Sequence, residues 1–174
     1  DVFTVPIGRL KAINTNASGE ITKIETDTAS GSAPFTRIQA DIDSVQFIAN
    51  GEFKTSGAYE QSLVLGLAKP RAQSVNFVSD LRDAISCGVA VAYFDNNGQG
   101  WLWGANTVDR EGFARPVNAM EVNLDTGKEL TDEDSQRIQI TLKRISGHLP
   151  SPLAAGIKIA NFVTATTVIN DNTQ

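Results

Sequence analysis

Few side chains in this sequence are of the kind that make or break bonds, and their placing limits the chemistry on offer. His148 is the only histidine and Cys87 the only cysteine. A hydroxyl or thiol nucleophile needs a base held beside it. The one imidazole lies in SGHLPSP, a stretch that reads as a loop, and no GxSxG elbow occurs. Cys87 follows a helical pattern instead of opening one, so no helix N-terminus activates its thiol. It is expected to be a small buried hydrophobe, and a single cysteine makes no internal disulfide or thiolate zinc cage within one chain. No GxxxxGK[ST] loop is present, and Gly98-x-Gly100 lacks the third glycine of a dinucleotide fingerprint. The acidic run ELTDED, Glu129 to Asp134, has the composition of a metal or paired-carboxylate site. Adjacent charges in a turn before a strand read instead as a solvated loop that blunts edge pairing. Asn16-Ala17-Ser18 fits a glycosylation acceptor, but so short a triplet carries no weight alone. No catalytic, cofactor-binding or metal site is expected.

One stretch, AYFDNNGQGWLWG from Ala92 to Gly104, admits three readings. A calcium loop needs oxygen ligands at alternating positions, glycine at the sixth and a bidentate Glu at the twelfth. Asp95, Asn97, Gln99 and Gly100 match the beginning, but the twelfth position is Asn106. A sugar platform needs exposed aromatics on one face, which Trp101 and Trp103 share by strand alternation. The third reading is a hairpin tip. Asn97-Gly98 suits a two-residue type I′ turn, which would set Phe94 opposite Trp101, Tyr93 opposite Leu102, Ala92 opposite Trp103 and Val91 opposite Gly104. Phe94 and Trp101 would then form an aromatic pair, and Phe94, Asn97, Gly98, Trp101 and Trp103 a structural hairpin in the core or at a subunit interface.

The elements that must position these residues are mainly β. RIQITLK, Arg137 to Lys143, alternates cleanly, with Ile138, Ile140 and Leu142 facing a core. FTRIQADIDSVQFIA, Phe35 to Ala49, alternates with a one-residue slip. A bulge or sheet corner must absorb that slip, and a bulge is expected near Asp43 and Ser44. ITKIE adds an early strand, and the β-branched IKIANFVTATTVI, Ile157 to Ile169, a late one before a loose tail over 170–174. One segment, SVNFVSDLRDAIS, has helical spacing in Val78, Leu81 and Ile85. It gives a flanking helix over about 74–87, with Ser74 as its cap and Gly88 as its left-handed terminator. Loops rich in Gly, Ser, Thr and Pro are expected over about 26–35, 50–62 and 146–156. A sandwich or barrel of bulged antiparallel strands, in a single domain over 1–174, is the expected fold class.

Composition narrows the partners. The 174 residues suffice for one good core, and 41% hydrophobic with 20% charged residues is ordinary for a globular chain. A net charge of -5 opposes unspecific attraction to nucleic acid or anionic lipid. The longest apolar run, VAVAYF, falls far short of the roughly 20 residues that span a bilayer. The opening DVFTVPIGRL has no basic stretch followed by an apolar one, so no leader peptide is expected in it.

The order of these elements, bent strands with a long intervening loop, one helix, a Trp-bearing hairpin, then TGKELTDEDSQRIQITLKRIS, resembles the major tail tube and related virion proteins of tailed bacteriophages. DNNGQGWLWG and TGKELTDEDSQRIQITL are similar to structural proteins of phages and prophages associated with Bacteroidetes hosts. The likeness runs from about Phe35 to Ile145. It implies a virion protein without active site or cofactor, assembled in the host cytoplasm as stacked, hexameric rings around a channel. Its partners would be copies of itself and other virion proteins, with DNA only as passing cargo and no membrane. Loops would reach to neighbouring subunits, with Phe53 and Tyr59 as aromatic anchors of one arm and Leu149 and Leu153 as apolar contacts of another. An acidic wall would not hold the passing duplex. Another virion position, such as a head-to-tail ring or capsid decoration, and a carbohydrate-binding module using Trp101 and Trp103, are the alternatives.

Overall fold

In a computed structural model of the protein, residues 1–27, 35–40, 44–50, 58–68, 72–105, 116–126, 136–164 and 168–171 are described. The expected loop residue Phe53, the acidic run Glu129 to Asp134, Asp43 and the last three residues lie outside that set. Along the chain come β1 (Val2–Pro6), β2 (Leu10–Thr15), β3 (Ile21–Thr26), β4 (Thr36–Ile38), β5 (Gln46–Asn50) and β6 (Tyr59–Ala68). Helix α1 (Ala72–Ser86) leads into β7 (Val89–Phe94), β8 (Gly100–Trp103), β9 (Ala119–Thr126), β10 (Gln136–Ser146) and β11 (Ser151–Pro152). A short α2 (Ile159–Thr164) and β12 (Val168–Asn170) follow.

The fold is mainly β, with three antiparallel sheets, one main helix and, among the described residues, no closed barrel. Where the sequence suggests one domain, the contacts divide the chain into two compact units, each discontinuous in sequence. The first takes residues 1–38, 88–117 and 149–174; the second takes 39–87 and 118–148.

The first unit is a sandwich. A five-stranded sheet in the order β11, β8, β7, β1, β4 and a three-stranded sheet in the order β12, β3, β2 contribute to one apolar cluster. Phe3, Val5, Ala90, Ala92 and Leu102 enter it from the larger sheet, and Leu10, Ile24 and Ile169 from the smaller. Phe162 of α2 is the hub: it stacks on Phe3 at 5.0 Å between ring centroids and meets Phe35 edge-on at 5.0 Å. The larger sheet is buried on its other face too, since Val2, Val91 and Trp103 have no exposed surface. That explains why VAVAYF is continuously apolar.

The second unit is a four-stranded sheet in the order β5, β6, β10, β9, with α1 against β9. Ile138, Ile140 and Leu142 of β10 are buried, as alternation predicts, and Leu65 and Leu63 of β6 stand directly opposite the last two.

Several expectations are corrected. The slip between Ile38 and Phe47 marks a change of sheet, not a bulge in one strand: β4 pairs with β1 of the first unit and β5 with β6 of the second. Ile157 to Ile169 is not one strand, because α2 turns inside it to deliver Phe162 to the core. The Asn161 side chain accepts the Lys158 backbone N–H at 2.8 Å and closes the first turn of α2. Ser74 lies within α1, which starts at Ala72, so it is not the cap. Gly88 is left-handed as expected, with φ of 87°. Cys87 is exposed, not buried, because it lies just past the last helical residue. Tyr59 to Ser62 belong to β6 instead of a loop, Ser151 and Pro152 form β11, Thr26 closes β3, Phe35 is buried, and Asn170 ends β12.

Candidate functional site

The hairpin of β7 and β8 is the best-defined constellation of polar and aromatic groups among the described residues. Its loop is built on Asp95. The Asp95 N–H donates to Gln99 O at 2.9 Å and the Gly98 N–H to Asp95 O at 2.9 Å. Gly98 takes φ of 79°, a value that side chains oppose. This is a three-residue loop with a glycine bulge, not the expected two-residue turn. Asp95 is the reason: its Oδ1 accepts the backbone N–H of Asn97 at 2.9 Å and of Gln99 at 3.0 Å, bonds that favour the longer loop.

The register moves by one residue. Phe94 faces Gly100, Tyr93 faces Trp101, Ala92 faces Leu102 and Val91 faces Trp103. Phe94 and Trp101 therefore stand on opposite faces of the sheet. Phe94 meets Phe162 edge-on at 5.8 Å, while Trp101 and Trp103 share their face with Tyr93 and Val91. Gly100 is forced by packing: a Cβ there would lie 2.7 Å from Leu153 Cδ1 and 2.8 Å from Phe94 Cε1.

Two bonds tie the tip to its surroundings. The Trp101 Nε1–H donates to Asp95 Oδ2 at 3.2 Å, and Gln99 Nε2 donates to Leu153 O at 2.8 Å. Desolvation pushes the Asp95 carboxyl pKa up, but the hydrogen bonds from Trp101, Gln99, Asn97 and Gly98 outweigh it and hold the group below its ordinary value. Tyr93 is shifted upward by burial and by the Asp95 charge. Both Asp95 carboxylate oxygens are thus engaged by N–H donors. Among the described residues no group of three or more His, Cys, Asp or Glu side chains is placed to hold a metal.

Trp103 is fully buried and presents no ring face to a sugar; Trp101 is half-buried. Leu153 is fully buried in the first unit's core and does not reach outward from its loop. Its neighbours in SGHLPSPLAAG disguise it, for Gly and Pro composition hides a strand of two residues. Leu149 is 55% exposed, and Tyr59 is half-buried opposite Ser146. Asn97 and Gly98 are exposed at the tip.

Two features of the second unit lie outside the sequence reading. Gln61, Arg144 and Ser146 are buried polar residues on the core face. Arg144 Nε donates to Gln61 Oε1 at 3.1 Å, and His148 O accepts from Arg144 Nη2 at 2.7 Å and from Gln61 Nε2 at 2.8 Å. These bonds offset the cost of burying a guanidinium and fix the chain beyond β10. The signal was present, since Arg144 and Ser146 continue the even-numbered face of Ile138, Ile140 and Leu142. The other feature is β9, whose only strand partner among the described residues is β10. Val122 and Leu124 stand opposite the buried Ile140 and Ile138, yet are 42% and 50% exposed.

No family model, curated protein or solved structure matches this chain. No helix among the described residues is long and apolar enough to cross a membrane.

Proposed function

We propose that this chain is a structural protein of a tailed-phage virion, most like a tail tube subunit, which works by associating with copies of itself into stacked rings. The reading rests on the resemblance of the Phe35 to Ile145 segment, and the observation that carries it furthest is the edge strand β9. Eight residues long, it extends the core face of its sheet with Val122 and Leu124, which remain substantially exposed. A strand edge of that length invites another chain to add to it. Pairing with a different strand of a second copy is heterologous and closes into a ring when the rotation permits. An acidic chain, with net charge -5, suits a conduit through which DNA slides. The cell-free destination is the virion, and the partners are other copies and neighbouring virion proteins.

Negative-stain images and sedimentation of the purified chain test this directly. Rings or tubes are expected, and a strict monomer at every concentration overturns the reading. The double substitution Val122→Glu with Leu124→Lys should abolish assembly while leaving the monomer's unfolding free energy within about 1 kcal/mol, since both positions are exposed.

A further inference from the structure

Two of the asparagines at hairpin tips of the first unit, Asn16 and Asn97, stand in chemically opposite settings. Asn16 is held: its Oδ1 accepts the Ser18 and Glu20 N–H groups at 3.0 Å each, and its Nδ2 donates to Glu20 Oε2 at 2.8 Å. Ala17 follows it. Asn97 is exposed, and the bonds of its tip run through Asp95 and the backbone, not through its carboxamide. Gly98 follows it, also exposed, and a Cβ built on Gly98 would meet nothing within 4 Å. No side chain of residue 98 therefore shields the peptide that follows Asn97, and the space beside its Cα is open.

We propose that Asn97 is a site of spontaneous self-modification. The Gly98 backbone nitrogen gives its proton to solvent base and attacks Asn97 Cγ. The bond from Cγ to the side-chain nitrogen breaks, ammonia leaves, and a cyclic imide remains. Water opens the imide at either carbonyl, giving aspartate or isoaspartate at position 97, and no redox partner is required. The opposing factor is the bond from Gly98 N to Asp95 O at 2.9 Å, which must open first; it closes an exposed tip where such opening is cheap. The product places a second carboxylate two residues from Asp95, and isoaspartate also lengthens the backbone inside the turn. Both weaken the set of bonds by which Asp95 holds Asn97 N, Gln99 N and Trp101 Nε1. Asn50 also precedes a glycine, but Gly51 lies outside the described residues.

The test incubates the full chain at mildly alkaline pH, native and in urea, and locates amide-to-acid conversion by fragment mass spectrometry. Native protein should convert at Asn97 first, become a substrate for isoaspartyl methyltransferase, and retain the Asn16 amide; Asn97→Gln should remove the methylation of that peptide. Retention of the native Asn97 amide over a period in which urea-treated chain converts it, or native conversion of Asn16 at the same rate, overturns the proposal.

Discussion

The tips NASGE (Asn16 to Glu20) and DNNGQ (Asp95 to Gln99) have the same backbone and different surroundings. In each, the first residue's N–H donates to the fifth residue's carbonyl, and the fourth residue's N–H to the first residue's carbonyl. In each, the first side chain accepts the N–H groups of the third and fifth residues, and the fourth is a left-handed glycine, with φ of 83° and 79°. The first tip ends there, with the side-chain bonds of Asn16 and Glu20 kept within it. The second adds the Trp101 indole and the Leu153 carbonyl as partners. The lesson is that a short polar motif fixes the turn, while the residues it touches decide how much of the core depends on it.

The largest effect expected from breaking that dependence lies on β8. Trp103→Ala empties a fully buried site and should cost about 3–5 kcal/mol, or prevent folding. Trp101→Ala, at a half-buried position, should cost clearly less and leave a folded chain whose urea unfolding can be measured. Equal losses would show that the two rings are equivalent, against the burial described.

Exchanging the fifth residues of the tips sharpens the comparison. Gln99→Glu places carboxylate oxygens against Gly100 O and Leu153 O, each of which now accepts a Gln99 Nε2 hydrogen at 2.8 Å. The loss of those donors and the lone-pair conflict should cost about 1–3 kcal/mol. The reciprocal Glu20→Gln keeps an acceptor for Asn16 Nδ2 on an exposed surface and should change stability by no more than about 0.5 kcal/mol. Comparable losses from both would mean that Leu153 is not tied to the second tip.

Legibility in the sequence follows how local each determinant is. The alternation of Ile138, Ile140 and Leu142, the helical spacing of Leu81 and Ile85, and the glycine at 88 are set by period and backbone sterics, and they are where the sequence puts them. The hairpin's existence was legible from Asn97-Gly98, but its register was not, because a side-chain acceptor at Asp95 decides between turns that differ by one residue. Helix α2 was missed because its six residues, all β-branched or apolar except Asn161, carry little helical signal, and Phe162's contacts with Phe3, Phe35 and Phe94 override propensity. The division into two units was hidden because the chain changes sheet between Ile38 and Gln46, where the sequence shows only a phase slip. Of the candidate contact residues, Leu149 could be read as exposed from its loop, whereas the burial of Leu153 depends on β8 and so on partners distant in sequence.

Asp95→Asn makes the first residues of the two tips alike and isolates what the charge adds. The carboxamide oxygen can still accept the Asn97 and Gln99 N–H groups, as Asn16 does in its own tip. Its NH2 would then face the Trp101 Nε1–H, donor against donor, so one bond is lost at a cost of about 1 kcal/mol, reduced by solvent at this partly exposed site. The sign of the pH dependence follows from the lowered Asp95 pKa. A carboxyl held below its unfolded value contributes stability that is fully present above the ordinary carboxylate range and is lost as pH falls through its folded pKa. Melting temperatures of the parent chain and Asp95→Asn should therefore differ by a constant amount near neutrality and converge in acid. A gap that stays unchanged into strong acid would mean that geometry alone, and not the charge, anchors the second tip.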